Sequence, residues 1–317
     1  MILSRSQFES ISNANILQEK EEYMNKYIRS LFNINNIIDR KLFYRIQSIS
    51  ANIPVFYGFP KIHKAAYQLR PIVSSIGSYQ YNLAKYLASM ISDCSSTSPL
   101  YVKDSFSFSN MIKNLILEPT QSYTMCSFDV ESLNTNMLVR KSIEIALDLM
   151  FQSTQCANTP LNRDQIKTLL ECPVYDVPFR FQNKIYMLKD GIAMGSPLAS
   201  ILANLFMTQM EENLNHISPY KPTIWLRCVD NIFCVFTISC NEIIHLQTEI
   251  KKWYTHFKFM IEWEENGQSC VSWCSRHTKG SSITHDVIQE IIPHKSIYAV
   301  ELESEPTIYT RTNKSTL

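Results

Sequence analysis

Residues 223–237 read TIWLRCVDNIFCVFT, two apolar stretches separated by the polar pair Asp230-Asn231. Aromatic and β-branched side chains favour strands, and Asp and Asn favour the tight turn that joins two strands. The stretch therefore predicts a buried β-hairpin with an acidic tip. Because a carboxylate beside a buried sheet is costly unless its charge is balanced, Asp230 is a candidate for cation binding.

A second apolar stretch, from Tyr123 to Val130, also ends at a carboxylate, that of Asp129. If the two strands are adjacent, the carboxylates of Asp129 and Asp230 suit Mg²⁺, which takes few protein ligands and binds phosphate oxygens with its other positions. Each residue also has a purely structural interpretation. Asp230 suits a polar turn, and Asp129 suits the N-cap of the helix that follows.

The remaining elements alternate between helix and strand patterns. A hairpin is predicted over 177–188 around Gln182-Asn183, and a strand pair around Gly267. Between Ser48 and Ser78 the chain is extended and broken by prolines. Helices are predicted over 15–33, 79–92, 106–117, 138–151 and 241–257, and from Pro197 onward. This mixture predicts an α+β fold.

Composition excludes two large classes of enzyme. Only 6 of the 317 residues are glycine, and none forms the glycine patterns of a Rossmann nucleotide site or a P-loop. The formal charge is +1, but residues 51–92 contain no acidic side chain. Their cations alternate with aromatic residues, a mixture suited to phosphates and base stacking, although a solvated basic face fits equally well.

Nothing in the sequence indicates a membrane or an export route. The N-terminus lacks a signal-peptide pattern, and polar residues interrupt the uncharged stretch 191–210, which therefore predicts a buried helix. Nine cysteines without a CxxC pair favour reduced thiols. We expect the nucleus or cytoplasm and no membrane partner.

Five stretches carry a family resemblance: FYGFPKIHK (56–64), LRPIVSSIGSYQYNLAKYLA (69–88), SFDVESLNTN (127–136), GIAMGSPLASILANLFM (191–207) and WLRCVDNIF (225–233). They resemble the Penelope-like retroelement reverse transcriptases, whose distant relatives include telomerase reverse transcriptase. The resemblance implies a right-hand polymerase with fingers and palm, the antiparallel palm sheet being backed by helices. It also implies an RNA-directed DNA polymerase that uses Mg²⁺ or Mn²⁺, an RNA or DNA template–primer duplex and deoxynucleoside triphosphates.

The same resemblance implies roles for individual residues. Two positions match catalytic, metal-binding aspartates, two match cations that bind the triphosphate, and two match a loop beside the nascent base pair. These pairs are, in the same order, Asp129 and Asp230, Lys61 and Arg70, and Gly195 and Ser196. Lys258 lies near a later palm motif and is a weaker candidate for triphosphate binding or proton transfer.

The sequence departs from the family pattern at two functional positions. The family hairpin reads Y-x-D-D, and here it reads Cys-Val-Asp-Asn, so that Asn231 replaces a metal-binding aspartate. Its amide oxygen can still contact a metal ion but lacks the charge, for which Glu131 is a candidate substitute. Asn134 stands where the family has an aromatic residue that screens the sugar of the bound nucleotide, so the choice between ribose and deoxyribose stays open.

The resemblance suggests three regions: an N-terminal helical extension (1–50), the reverse transcriptase fingers and palm (51–270), and a degenerate thumb remnant or poorly ordered tail (271–317). Residues 51–120 and the hairpin near 177–188 would form the fingers, and the family's GIY-YIG endonuclease is absent. Two other interpretations of the sequence stay open. In the first, the chain is a polymerase-like relic that binds duplex without synthesis. In the second, it is an interaction module that binds neither metal nor nucleic acid.

Overall fold

The computed structural model describes residues 8–33, 37–60, 69–95, 98, 100–114, 117–118, 120–152, 159–189, 191–217 and 220–263. The strands are β1 (Phe8–Ile11), β2 (Val55–Pro60), β3 (Leu69–Ser74), β4 (Thr124–Glu131), β5 (Val177–Phe181), β6 (Lys184–Leu188), β7 (Ile224–Cys228), β8 (Asn231–Phe236) and β9 (Lys258–Trp263). The helices are α1 (Ile16–Asn33), α2 (Arg40–Ile46), α3 (Tyr81–Cys94), α4 (Ser105–Lys113), α5 (Leu133–Asn136), α6 (Val139–Gln152), α7 (Arg163–Glu171), α8 (Pro197–Ile217) and α9 (Cys240–Trp253).

Four strands form an antiparallel sheet in the order β7-β8-β4-β9. The predicted hairpin over 223–237 is confirmed as β7 and β8, and β4 lies directly beside it. In this register Asp129 is opposite Asn231 on one side and Met260 on the other. The α+β class and the antiparallel sheet backed by helices are therefore confirmed.

The two faces of this sheet are covered differently. Cys126, Phe128 and Val130 alternate along β4 and point into the main core, which is built with α3, α6, α8 and α9. On the opposite face, Phe108 of α4 packs edge-to-face on Phe233 of β8, with ring centroids 5.5 Å apart. Helix α4, which the sequence assigned to the fingers, thus covers part of the four-stranded sheet.

Five strands form a second sheet in the order β1-β6-β5-β2-β3. The hairpin predicted over 177–188 is confirmed as β5 and β6, whose turn residues Gln182 and Asn183 have positive φ angles of 47° and 60°. A single parallel pairing, Val55 with Arg180, joins this hairpin to β2. Strand β1, which the sequence did not predict, extends the sheet through β6.

Three expectations need qualification. The second strand of the pair predicted around Gly267 and the whole predicted tail fall in residues 264–317, which lie outside the described residues, so both stay predictions; β9, which precedes Gly267, pairs with β4. The expectation of reduced thiols does not hold for Cys94, which is disulfide-bonded. Composition cannot predict this bond, because it depends on two thiols meeting in space.

Among the described helices, none has the length and apolarity needed to cross a bilayer.

Candidate active site

Asp129 and Asn231 are cross-strand neighbours on the sheet face that α4 covers only in part. Residues directly opposite in an antiparallel pair lie on the same face, with Cβ atoms about 5 Å apart. Both side chains are half-buried, whereas Phe128 and Ile232 on the other face are fully buried. The sheet thus places an acidic and an amide side chain together near the ends of its two central strands, on an accessible face.

Asp230 sits in the two-residue turn between β7 and β8. Its carbonyl oxygen accepts a hydrogen bond from the Val130 N–H at 2.9 Å, and its Oδ1 accepts one from Asn231 Nδ2 at 3.0 Å. The first turn residue, Val229, has a left-handed φ of 58°, which is strained for a β-branched side chain. The turn therefore fixes Asp230 beside β4 at a local conformational cost.

The side-chain oxygens of Asp129, Asp230 and Asn231 are suitable ligands for a magnesium ion. Two carboxylates and the amide oxygen of Asn231 are hard oxygen ligands, and Mg²⁺ commonly uses one or two carboxylates with phosphate oxygens. No group of three or more His, Cys, Asp or Glu side chains suited to a metal ion occurs in the described ranges, so the protein alone offers an incomplete ligand set. Burial, followed by the nearby Asp230 carboxylate, raises the pKa of Cys228 to about 11, so its thiol is neutral at pH 7.

The loop 191–196 connects the end of β4 to the second sheet. The Ile192 N–H donates to the Asn134 carbonyl at 2.9 Å, and the Val73 N–H donates to the Met194 carbonyl at the same distance. Ser75 Oγ donates to the Gly195 carbonyl at 2.6 Å. These three bonds hold β3, the loop and the turn after Asp129 in one arrangement.

Ser196 and Pro197 begin α8 as predicted. Ser196 is buried, and its carbonyl accepts the Ala199 N–H at 3.1 Å. Asn134, on the short helix α5, has a buried Oδ1 that finds no hydrogen-bond partner within the described part of the chain. An acceptor left unpaired in this way is expensive unless a donor arrives with a ligand.

Arg70 lies on β3 opposite Phe59 of β2, and both side chains are exposed. Tyr57, two residues from Phe59, is 46% exposed on the same face. This face combines one cation with two aromatic rings. Lys61 lies outside the described residues, so its position relative to Arg70 stays a prediction.

Glu131 and Lys258 are cross-strand partners and form an ion pair of 3.0 Å. Glu131 shares the face of Asp129, as the alternation along β4 predicts. Its carboxylate is therefore engaged with Lys258, which makes it a weaker substitute for the charge missing at Asn231.

Sequence reasoning missed two residues. Gly191 has a φ of 78°, and a Cβ there would collide with the Thr135 carbonyl oxygen, so the loop reaches the turn after Asp129 only with glycine. Arg227 is a fully buried cation in β7. The sequence does show Arg227 as a charged residue inside an apolar strand, but it does not show the partners of Arg227, because they are distant in sequence.

We predict that Gly195→Ala destabilises the protein by about 2–4 kcal/mol, through backbone strain and steric overlap. The φ at Gly195 is 123°, and a Cβ would lie 2.5 Å from the Val73 carbonyl oxygen. Gly77→Ala is the matched control, because its φ is 75° but the nearest atom to its Cβ, Asn52 Nδ2, is 3.8 Å away. Urea unfolding should show a loss of only about 1 kcal/mol for the control. Equal losses would contradict a close approach at Gly195.

Three solved structures show the level of similarity to known proteins. No protein-family model and no curated protein matches the sequence. A telomerase from Candida albicans, in complex with a fragment of telomeric RNA, has a TM-score of 0.49 at 12% identity over 82% of this chain. An apo telomerase from Candida tropicalis, truncated at its C-terminal domain, has 0.48 at 13% over 70%. The RNA-dependent RNA polymerase of BmCPV has 0.45 at 10% over 80%.

The chain matches only a part of each of these proteins. It covers 50% and 52% of the two telomerases and 24% of the viral polymerase. Similarity at this level does not assign an activity to the chain.

Proposed function

We propose that this chain is a template-directed nucleic-acid polymerase of the reverse transcriptase type, encoded by a retroelement related to the Penelope-like elements. It extends the 3′-hydroxyl of a primer with deoxynucleoside triphosphates on an RNA template. The observation that carries the proposal is that Asp129 lies opposite Asn231 at the ends of the two central strands, with Asn231 hydrogen-bonded to Asp230 in the adjoining turn. The five sequence stretches that resemble the family supply the reaction type.

In this proposal each residue of the site has a stated task. Asp129 and Asp230 hold Mg²⁺, or Mn²⁺, with the Asn231 amide oxygen as a neutral ligand. When bound, Mg²⁺ would offset the negative charge of the triphosphate, favour attack by the primer hydroxyl on the α-phosphate, and stabilise the pyrophosphate that leaves. Arg70 and Lys61 bind the triphosphate, and the loop around Gly195 and Ser196 lies against the new base pair. Asn134 Oδ1, unpaired among the described residues, accepts a hydrogen bond from the bound nucleotide.

A second candidate function is favoured by the hairpin itself. Asn231 supplies no charge, and its Nδ2 already donates to Asp230 Oδ1, an oxygen that a metal ion would otherwise take. A chain with so weak a metal site would bind a template–primer duplex without extending it. This alternative keeps the nucleic-acid partner and removes the chemistry.

Nucleotide binding separates the two candidates. With duplex present, calorimetry of wild type should show deoxynucleotide binding that requires Mg²⁺ and is lost in Asp129→Ala. Binding of duplex without any metal-dependent nucleotide binding would instead support the relic. Binding of neither ligand would contradict both candidates.

Six exposed cations on helices α1, α2 and α3 support a nucleic-acid partner. None of them forms an ion pair with another described residue. Two stack on tyrosines: Arg40 over Tyr44 at 5.6 Å and Arg45 over Tyr86 at 5.8 Å. Unpaired cations with aromatic rings suit phosphates and bases. The six are Lys26, Arg29, Arg40, Lys41, Arg45 and Lys85.

We predict that changing Arg40, Lys41 and Arg45 to alanine together weakens duplex binding and lowers its salt dependence. Each lost phosphate contact should reduce the slope of log K against log salt by about 0.9, hence about 2–3 for the triple variant. The control variant removes Arg163 and Lys167, which are engaged with Glu144 at 2.7 and 2.6 Å. Fluorescence anisotropy at several salt concentrations measures both. Identical slopes for the two variants would contradict a role for α2.

A further inference from the structure

Arg227 is fully buried although it carries a charge in the middle of an apolar strand. It is opposite Ile232 in the β7–β8 pair and therefore lies on the sheet face away from Asp129 and Asn231. That face is covered by α8 and belongs to the main core. Placing an arginine there has an effective cost of several kcal/mol unless its partners compensate for lost hydration.

The Arg227 side chain is held by three residues of α8. Nε contacts Glu211 Oε1 at 2.6 Å, Nη1 contacts Asn204 Oδ1 at 2.8 Å, and Nη2 contacts Thr208 Oγ1 at 3.1 Å. Glu211 is itself buried, with a side chain 3% exposed. The planar guanidinium thus donates hydrogen bonds to three acceptors along one face of the helix.

Further contacts connect this arginine to the hairpin turn and to the segment before α4. Nη1 lies 3.5 Å from the carbonyl oxygen of Val229, the strained residue that precedes Asp230. The Arg227 backbone bonds to the segment before α4, because its N–H donates to the Leu100 carbonyl at 2.8 Å and its carbonyl accepts the Val102 N–H at 2.7 Å. The guanidinium also lies 5.6 Å from the centre of the Tyr101 ring.

Stability alone does not explain so expensive an arrangement. Apolar residues of similar volume commonly replace a buried ion pair without loss of stability. Glu211 Oε2 has no hydrogen-bond partner among the described residues, so the pair is incompletely compensated. What an apolar pair could not supply is a directed contact to the Val229 carbonyl.

We propose that Arg227 is a positioning residue, which fixes the tip of the β7–β8 hairpin, and with it Asp230, against helix α8. The hairpin tip is strained and half-exposed, and its anchors include the bond from the Val130 N–H to the Asp230 carbonyl, the bond from Asn231 Nδ2 to Asp230 Oδ1, and the contact of Arg227 with the Val229 carbonyl. This inference concerns the geometry of the hairpin. Only its consequence for catalysis rests on the proposed function.

The test is the double variant Arg227→Met/Glu211→Leu, which removes both charges and keeps the volume. We expect a melting temperature close to that of wild type but at least about tenfold faster amide hydrogen exchange in a peptide covering 228–232. Trp225→Phe is the control. It removes the other donor to Glu211 Oε1, at 3.0 Å, and leaves Arg227 in place, so exchange at the hairpin should not change.

If the double variant retains wild-type exchange at 228–232, the proposal is wrong. If it unfolds, Asn204→Ala decides, because it removes the acceptor, at 2.8 Å, that holds Nη1 beside the Val229 carbonyl, and it should still accelerate exchange at the hairpin. An unchanged hairpin in Asn204→Ala would equally overturn the inference. Because exchange needs neither metal nor nucleotide, failure of the proposed polymerase activity leaves this test intact.

Where wild type extends primers, the double variant should also lose at least about tenfold in kcat with duplex affinity within about twofold, since a misplaced carboxylate affects the chemical step and not duplex binding. If Arg227 had only a structural role, the folded double variant would keep the kcat and the duplex affinity of wild type. An unchanged kcat would contradict the positioning role.

Discussion

Primer extension is expected to fall by at least about a thousandfold in Asp129→Ala, which corresponds to about 4 kcal/mol of lost transition-state stabilisation. Asp129 supplies one of the two carboxylates of the proposed site, and the β4–β8 pairing places it opposite Asn231, which is hydrogen-bonded to Asp230. Its loss leaves Asp230 as the one carboxylate at the turn, with an amide as its neighbour. The rate should be measured by single-turnover extension of a labelled primer on an RNA template.

Glu131→Ala is the matched control for this variant. Glu131 shares the strand and face of Asp129 but is engaged with Lys258 at 3.0 Å. Since exposed ion pairs contribute only about 0–1 kcal/mol, its removal should leave the fold and most of the rate intact. Equal losses in the two variants would mean that charge on this face matters, and not the position of Asp129.

Asn231→Asp is expected to raise Mg²⁺ affinity by about tenfold or more, because a full charge replaces an amide at the position opposite Asp129. The two side chains have nearly the same shape, so charge is the only large change. Primer extension at low Mg²⁺ should increase with affinity. The measurement is the Mg²⁺ concentration at half-maximal rate, compared with wild type.

The same variant should be less stable than wild type when metal is absent. It replaces the hydrogen bond from Asn231 Nδ2 to Asp230 Oδ1, 3.0 Å long, by repulsion between two carboxylates. The melting temperature in EDTA should therefore be lower for the variant than for wild type, and Mg²⁺ should raise the melting temperature of the variant more than that of wild type. A variant whose melting responds to Mg²⁺ no more than wild type would contradict metal binding at this site.

The hairpin at the site is predictable from local sequence. Both strands are apolar and rich in β-branched and aromatic residues, and Asp230-Asn231 is a strong turn signal. The pairing of Asp129 with Asn231 requires one more step, that β4 lies next to β8, and the family resemblance supplied it. The N-terminal position of Ser196 and Pro197 on α8 is likewise a local property.

Contacts between distant segments are not predictable in this way. Strand β1 has only four residues, and its pairing with β6, about 180 residues later, leaves no local pattern. Gly191 and Gly195 are needed because of the Thr135 and Val73 carbonyls, whose approach is set by tertiary packing. Arg227 shows the same limit, because its burial depends on acceptors displayed along α8.

Single-nucleotide extension of a primer on an RNA template, in Mg²⁺ and separately in Mn²⁺, tests the central claim most directly. It uses the 317-residue chain, its Asp129→Ala variant and its Asn231→Asp variant, each shown to be folded and to bind the duplex. The proposed function predicts that wild type adds the deoxynucleotide complementary to the template, that Asn231→Asp adds it faster, and that Asp129→Ala does not add it. Absence of extension by wild type and Asn231→Asp alike, under both metals, would contradict it.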